Sequence, residues 1–564
     1  MAAPKRKQHD ASGSKFSKKK PKLTVEPPTK LALKQDRQSK RKHADVVVEA
    51  KALWNELRSK TISKERRTEL MDQMMPLIKG KAHEIALQHD ASRVVQAALQ
   101  FGTNEQRSVI LQELTADRST IPELCKTQYA HFCVLKAIKY CHSEPDMVLL
   151  LTKAFKGHVA KLAVHAVGAR CIEALFTALA PKQTASLKQE LYGPHFALFA
   201  NSTEGGSSLT TNLERLPDKK PQTLEFVKNL LQKGMDKSLY GYVFFQELLA
   251  EYTHHASPLE LRALASSASD HILHLLSSRA GTKAAAALIA YGTPKDRKRM
   301  VKCLKGFTKS GLLHADAYLA LIRLVLLLDD TVAVQKNLLN ELVTAEDALL
   351  EVCVSDTGSK LLLMILVQDD ERRNKYLDPY ERSLLLGVPT IPEDGKDVPT
   401  SKKDPAQRRH ELLATLKDPL LAVCTAHAGT LIRSIPGAHV LKEVLLETQS
   451  SELVQALVSY CHESLDVAEN DDESTRLFDD RNGHLGVKNL ILADESFAQA
   501  FVDRLGDRLL DVAQSNRGAF VVAALYQVPS IRLKLDVKRV QKLAKGDGPS
   551  AGYEALLKEM KKQK

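Results

Sequence analysis

The chain has 564 residues, 44% of them hydrophobic, with only 5% aromatic. It is too long for one ordinary globular core, so it predicts several domains or a quasi-linear array whose units pack only on their neighbours. The formal charge of +13 is uneven: residues 1–43 hold +11, residues 532–564 hold +6, and residues 44–531 hold −4. The eight cysteines form no C-x-x-C pair and no disulfide spacing, which predicts buried reduced thiols and an intracellular protein. No stretch reaches the roughly 18 uninterrupted apolar residues of a membrane span, and the basic N-terminus lacks the apolar core of a secretory signal.

Residues 1–43 carry runs such as Lys5-Arg6-Lys7 and Lys18-Lys19-Lys20-Pro21-Lys22 and almost nothing that could build a core. They predict a disordered basic tail that suits nuclear or nucleolar import and non-specific attraction to phosphates. From Ala44 to about Leu70 the residues Val46, Val47, Val48, Ala50, Leu53, Trp54 and Leu57 trace an amphipathic helix that would cap one end of an array.

A repeat then begins. The stretch from Asp90 to Arg107 returns from Gly281 to Arg297, with Gly102 matching Gly292 and Arg107 matching Arg297, an offset of 190 residues or five periods of 38. A period in that range is the signature of stacked helical repeats. Gly102 and Gly292 suit a left-handed residue just after a helix, and Thr103 and Thr293 suit the cap of the next one, with Gln106 and Asp296 completing a capping box. A second marker, Lys79-Gly80, Lys156-Gly157 and Lys305-Gly306, is spaced by 77 and 149 residues, close to two and four periods.

Equivalent helices align on Ser92, His131, Ala169, Gly241, Thr282, Ala317 and Ser359, with a degenerate unit near Asn201 to Leu216. Residues 44–385 therefore form an N-terminal array. Residues 386–410, rich in Pro, Gly, Asp, Lys and Ser, predict a loop or hinge insert. Repeats resume over 411–531, with helices at Gly437, His484 and Arg517, interrupted by an acidic stretch at Glu469-Asn470-Asp471-Asp472-Glu473. Residues 532–564 predict a basic, fraying tail.

Ser92-Arg93-Val94-Val95-Gln96 resembles the five-residue base-reading motif of Pumilio (Puf) repeats, in which the first and fifth residues hydrogen-bond a base edge and the second stacks on it. The rule makes Ser92 and Gln96 an adenine-type pair with Arg93 as the stacking plane. The later pairs His131/Leu135, Ala169/Glu173, Gly241/Phe245, Thr282/Ala286, Ala317/Leu321 and Ser359/Leu363 mostly lack a donor or acceptor at one position, so the code is lost over most of the array. Basic residues remain: Lys79, Lys81, Lys156 and Lys161 near the Lys-Gly markers, Arg170 and Lys283 at second positions, and Lys295, Arg297, Lys298, Arg299, Lys302, Lys305 and Lys309 in one cluster. Such residues give affinity for phosphates without sequence information.

Gly292-Thr293-Pro294-Lys295-Asp296-Arg297-Lys298, Phe155-Lys156-Gly157-His158-Val159, Leu191-Tyr192-Gly193 and the run from Ser401 to Leu413 are similar to the Puf-A (pumilio homologue three) family across about residues 44–530. That resemblance implies an all-α, right-handed solenoid of about eleven Puf-like repeats in an L shape. It implies binding of RNA or DNA with little sequence preference, a nucleolar and nuclear address, and a role beside assembly factors in processing pre-ribosomal RNA for the large subunit. Two other readings stay open: a sequence-reading Pumilio-type regulator of mRNA translation, and a protein-binding helical scaffold. An enzyme is not expected, because His83-Glu84 with His89 has the wrong spacing for a zincin and no Walker A or Rossmann pattern occurs. The reading calls for no cofactor, no metal and no membrane.

Overall fold

The computed structural model describes residues 42–59, 61–198, 208–345, 347–466, 476–533, 535–546 and 551–562. The basic runs before residue 42, the acidic stretch at 469–473 and the first residues of the degenerate unit lie outside the described residues. The chain falls into two compact units, residues 1–114 and 115–564. Both are built from helices, and among the described residues the only strands form one short hairpin.

The repeat is a three-helix unit: a short helix, a core helix and an outer helix. Thr120–Lys126, His131–Cys141 and Pro145–Phe155 are one example, followed by Val159–Ala163, Ala169–Ala178 and Pro181–Lys188. The core helices begin within a few residues of the predicted positions throughout: Ser92–Phe101, Val243–His255, Arg279–Tyr291, Tyr318–Leu327, Gly358–Leu366, Ile435–Thr448, Gly483–Ala493 and Asn516–Leu525. They are apolar on most of their circumference, as in Tyr318–Leu327, because each is flanked by its own outer helix and by the neighbouring repeats. All eight cysteines are free thiols, seven of them buried. No helix among the described residues is long and apolar enough to cross a membrane.

The two sequence markers have different structural causes. The capping boxes form as expected: Thr293 Oγ1 accepts from the Asp296 N–H at 3.2 Å and Asp296 accepts from the Thr293 N–H at 3.0 Å. Gln106 and Thr103 make the same pair of bonds at 3.0 and 3.3 Å. The preceding glycines, however, are not left-handed, with φ of −67° at Gly102 and −59° at Gly292. At Gly102 a Cβ would lie 2.6 Å from the Ala98 carbonyl oxygen, so close approach and not handedness selects the residue. The glycines of the Lys-Gly marker, by contrast, are left-handed: Gly80, Gly157 and Gly306 have φ of 78°, 88° and 82°.

At these joints a glutamate from the next outer helix accepts the first N–H groups of the short helix. Glu113 takes those of Gly80 and Ala82, Glu190 those of Gly157 and Val159, and Glu341 those of Thr308 and Lys309. At the other end of the core helix an arginine donates to the last carbonyls. Arg107 binds Leu99 O and Gln100 O at 2.9 and 3.1 Å, and Arg297 binds Ile289 O and Ala290 O, both at 2.8 Å. The repeated Gly-Thr…Arg pattern is thus a helix-terminating device that satisfies orphan carbonyls and places a cation at the negative end of the helix dipole.

The 386–410 segment departs from the predicted loop. Thr390–Glu393 pairs antiparallel with Lys396–Pro399 through an Asp394-Gly395 turn whose two residues have φ of 48° and 74°, the geometry of a type I′ hairpin. The following helix starts at Pro405, not at 411, and runs to Ala426. The segment is anchored by buried polar groups: Arg297 donates to the Thr400 carbonyl at 2.7 Å and to Thr400 Oγ1 at 2.9 Å, and that hydroxyl donates to Ala290 O at 2.7 Å. Arg408 in turn binds Leu326 O, Leu328 O and Asp329. It is a clamp across two repeats: most of the segment is exposed, and the buried Ile391, Thr400, Ser401 and Arg408 anchor it.

The C-terminal stretch is also more ordered than a fraying tail. Ala551–Lys562 packs on Asn516–Leu525 through Tyr553, Leu556 and Met560, spaced three and four residues apart on one face. Tyr553 donates to Gln514 O at 2.7 Å, and Gly552 approaches Asn516 so closely that a Cβ would lie 1.9 Å from its carbonyl oxygen.

Two outcomes follow from these anchors. Arg297→Ala removes four hydrogen bonds from a fully buried site and is expected to destabilise the chain by about 3 kcal/mol, against about 1 kcal/mol for the more exposed Arg107→Ala, read as shifts of the denaturant midpoint. Asp329 is a pH probe. Burial alone would raise its carboxyl, but hydrogen bonds from Ser401, Lys402, Lys403 and Arg408 outweigh that and hold it below the ordinary aspartate range. Its stabilisation is therefore full above the unfolded pKa of about 3.9 and lost as pH falls through the lower folded value. Asp329→Asn should cost about 1–3 kcal/mol at neutral pH, and the gap to the parent protein should close below about pH 4.

Candidate nucleic-acid interface

The predicted base-reading column splits by position. The first-position residues Ser92, His131, Ala169, Thr282 and Ser359 are all buried. Ser92, 2% exposed, donates to His89 O, and the His131 ring bonds Thr127 O at 3.1 Å. Gln96 is half-buried and donates to Ser92 Oγ at 3.4 Å, so the predicted adenine-type pair is turned inward onto itself. The fifth-position Glu173 is engaged as well, accepting the N–H groups of Val243 and Phe244 at the start of the next core helix. A side chain buried at the start of a core helix cannot reach a base edge, and Gly241, the exposed member of this column, has no side chain to do so.

The second positions behave differently. Arg93, Phe132, Arg170 and Lys283 are exposed, Phe132 by 43%. Within the first unit the Arg93 guanidinium lies 5.6 Å from the centroid of Trp54, an aromatic platform already in place beneath it. Within the second unit, Phe132 and Arg170 line a groove of about 530 Å³ together with Tyr129, Tyr242 and Lys237. Aromatic faces interleaved with cations are what an unpaired base and its phosphate require. Of this group only Arg170 was singled out from the sequence. The signal for Phe132 was its register with Arg93 and Arg170, while Tyr242 and Lys237 come together with it only through the fold.

The basic cluster is resolved by helical phase. On Pro294–Cys303, Lys295, Lys298, Arg299 and Lys302 stand at i, i+3, i+4 and i+7 and share the outer face, whereas Asp296, Arg297, Met300 and Val301 face the core. Arg297 is therefore withdrawn from the phosphate-contacting set: it is fully buried, and burial pushes its pKa down to about 10, so it stays charged but is spent on Thr400 and two helix-end carbonyls. Lys298 is paired with Asp330 at 2.7 Å and Arg299 with Asp270, while Lys309 is paired with Glu351 at 2.7 Å. Lys295, Lys302 and Lys305 are exposed and make no ion pair with a described residue.

Lys79 and Lys156 are exposed beside left-handed glycines, as Lys305 is, so each Lys-Gly joint presents a lysine outward. Lys161 is exposed on its short helix, and Lys81 is half-buried with its ammonium 3.5 Å from Leu77 O. Lys283 borders a separate open cavity of about 730 Å³ that also holds Glu247, Glu251 and Arg279. There Lys188 lies 3.3 and 3.2 Å from the two glutamates, and these carboxylates oppose a phosphate. No cluster of three or more metal-ligating side chains occurs among the described residues.

Comparison with known proteins agrees with this architecture. Residues 81–115 match the model of the Pumilio-family RNA binding repeat, and residues 354–503 match that of the CPL (NUC119) domain. Human Pumilio homolog 3 is 29% identical over 575 residues, covering 98% of this chain and 85% of that protein. The crystal structure of human Puf-A superposes with a TM-score of 0.75 at 26% identity, over 91% of this chain and 99% of that one. Human Puf-A in complex with DNA gives 0.73 at 26% identity, over 92% and 100%. In its helical repeats and over nearly its whole length the chain is thus similar to human Pumilio homolog 3 (Puf-A), with one stretch matching the Pumilio-family RNA binding repeat and another the CPL (NUC119) domain.

Proposed function

We propose that this Pumilio-family chain binds RNA with little sequence preference, gripping the backbone and stacking on unpaired bases. The observation that carries the reading is the split in the core-helix column: cations and an aromatic ring stand exposed at second positions, while at first positions Ser92, His131, Ala169, Thr282, Ala317 and Ser359 are buried and the exposed Gly241 has no side chain to read a base. Stacking and phosphate contact need no base identity, whereas edge recognition needs donors and acceptors that reach the base. The exposed lysines Lys79, Lys156, Lys161, Lys295, Lys302 and Lys305 extend the electrostatic footprint. Human Puf-A has been crystallised with DNA, a polymer with the same repeating phosphate, which supports DNA as a second ligand for this chain.

The family and the basic runs at residues 5–7 and 18–20 support a nucleolar and nuclear address. In that setting the substrate is pre-ribosomal RNA and the role is holding a segment during large-subunit assembly, with assembly factors docking on the acidic body. No catalytic step is invoked.

The test is RNA affinity of the full chain as a function of salt, for several unrelated sequences, alongside a Lys295→Ala/Lys298→Ala/Lys302→Ala/Lys305→Ala variant and a Phe132→Ala variant. Affinities should agree within a few-fold across sequences. The quadruple variant should flatten the log–log salt slope by about 2, at about 0.7 per lost phosphate contact on single strands for Lys295, Lys302 and Lys305, since Lys298 is already paired with Asp330. Phe132→Ala should weaken binding by about 1–3 kcal/mol with the slope unchanged. A strong preference for one short sequence would instead favour the mRNA regulator, and absence of binding would favour a protein scaffold.

A further inference from the structure

Where the hairpin clamp meets the array, a partly enclosed cavity of about 230 Å³ is lined by four arginines, Arg323, Arg373, Arg408 and Arg409. Two of them are accounted for. Arg408 directs Nε and Nη1 at Leu328 O and Leu326 O, and its Nη2 at Asp329, Ser401 and Lys403 O. Arg373 pairs with the exposed Asp370 at 2.5 Å and donates to Val367 O.

The other two are not. Arg323 is 6% exposed, and its Nη1 donates to Leu385 O and Gly387 O at 2.6 and 2.9 Å. Its Nε has no acceptor among the described residues, and it makes no ion pair with a described carboxylate. Arg409 donates through Nη2 to Gln368 O at 3.3 Å, while its Nε is likewise buried without an acceptor and it too makes no ion pair with a described carboxylate. Asp370, which also lines the cavity, and Asp404 act on Arg409 through space, but Asp370 is exposed and paired with Arg373, and Asp404 is exposed with its carboxylate capping the helix at Gln407 N.

A buried guanidinium without a counter-ion is unfavourable, and an orphaned buried N–H adds the cost of its desolvation. Here two such groups border the same space. Leu385 O and Gly387 O offset part of the Arg323 charge, since the helix Pro379–Leu385 ends there with its negative pole. They leave both Nε donors unfilled. Apolar walls from Ile365, Leu385 and Leu412 lower the local dielectric, which strengthens attraction to an incoming anion.

The geometry points to an oxyanion pocket for a phosphate monoester, held between the guanidinium groups of Arg323 and Arg409, the two cavity-lining arginines without a carboxylate partner. Charge selects the ligand: two unpaired guanidinia match a monoester, which carries about −1.5 to −2 near neutral pH, better than a carboxylate or a backbone diester with a single charge. Size agrees, because the partly enclosed cavity of about 230 Å³ has room for a compact phosphorylated end group. The monoester can be free inorganic phosphate or the phosphorylated end of an RNA strand. Only the second source rests on the RNA-binding reading above.

Titration calorimetry of the full chain with inorganic phosphate, at constant ionic strength set with chloride, tests the pocket directly. Saturable one-site binding is expected, weakened at least tenfold in Arg409→Gln and in Arg323→Gln. Arg409 is half-buried, so its variant should keep the parent unfolding midpoint and serve as the decisive one if Arg323→Gln fails to fold. No binding to the parent protein, or equal binding to the parent and Arg409→Gln, overturns the proposal. A second arm compares one RNA carrying a 5′-phosphate with the same RNA carrying a 5′-hydroxyl. A fivefold or greater preference for the phosphorylated form that vanishes in Arg409→Gln identifies the strand end as the source. Equal RNA affinities alongside binding of inorganic phosphate identify the free anion, and RNA failing to bind while phosphate binds separates this pocket from the wider functional reading.

Discussion

Every short helix in a repeat array creates a problem at both ends, because its first N–H groups and last carbonyls have no partner within the helix. In this chain the partners come from neighbouring segments. Glu113, Glu190 and Glu341 close the N-terminal ends of short helices that precede them by roughly one period, and Arg107, Arg297 and Arg408 close the C-terminal ends of core helices. Apolar packing between repeats supplies most of the burial. The packing of the short, core and outer helices within each repeat is set by these charged residues, each with a specific set of backbone groups to reach.

The same device decides which cations are free to act on a ligand. A lysine or arginine in the sequence is a candidate for phosphate contact until helix-end carbonyls claim it, as they claim Arg297, or a carboxylate does, as Asp330 claims Lys298 and Asp270 claims Arg299. What remains is a thinner and more dispersed set than composition suggests, with second-position residues and the joint lysines Lys79 and Lys305 prominent in it. Backbone gripping therefore draws on scattered charges and a few stacking surfaces.

The array was legible because it repeats. Core-helix starts at Ser92, His131 and Ala169 and the capping boxes at Thr103 and Thr293 follow from local rules of period and hydrogen bonding. The clamp was hidden by its composition: Pro, Gly and Asp read as a loop, and although Asp394-Gly395 is a strong hairpin signal, the anchoring of Thr400 depends on residues about a hundred positions away. The burial of Arg297 could have been read from its phase with Met300 and Val301, but its spacing to other basic residues drew it into the cluster. The pairing of Phe132 with Tyr242 and Lys237 spans a long stretch of chain and no local pattern encodes it. The Ala551–Lys562 helix shows the reverse case, where net charge masked a Tyr553, Leu556, Met560 stripe written plainly in the sequence.

The Thr400 anchor has a consequence for the order of events during synthesis. Its bonds to Ala290 and Arg297 close loops of 110 and 103 residues. While the chain grows from its N-terminus, the core helix ending at Tyr291 can form and stack on its predecessors, but Arg297 lacks two of its acceptors until Thr400 has left the ribosome. Contacts of such long separation are made late, because the entropy of closing the loop precedes any gain from the bond. The middle of the array thus matures in one step spanning several repeats, and an interruption of translation between residues 300 and 400 leaves a buried cation without its partners.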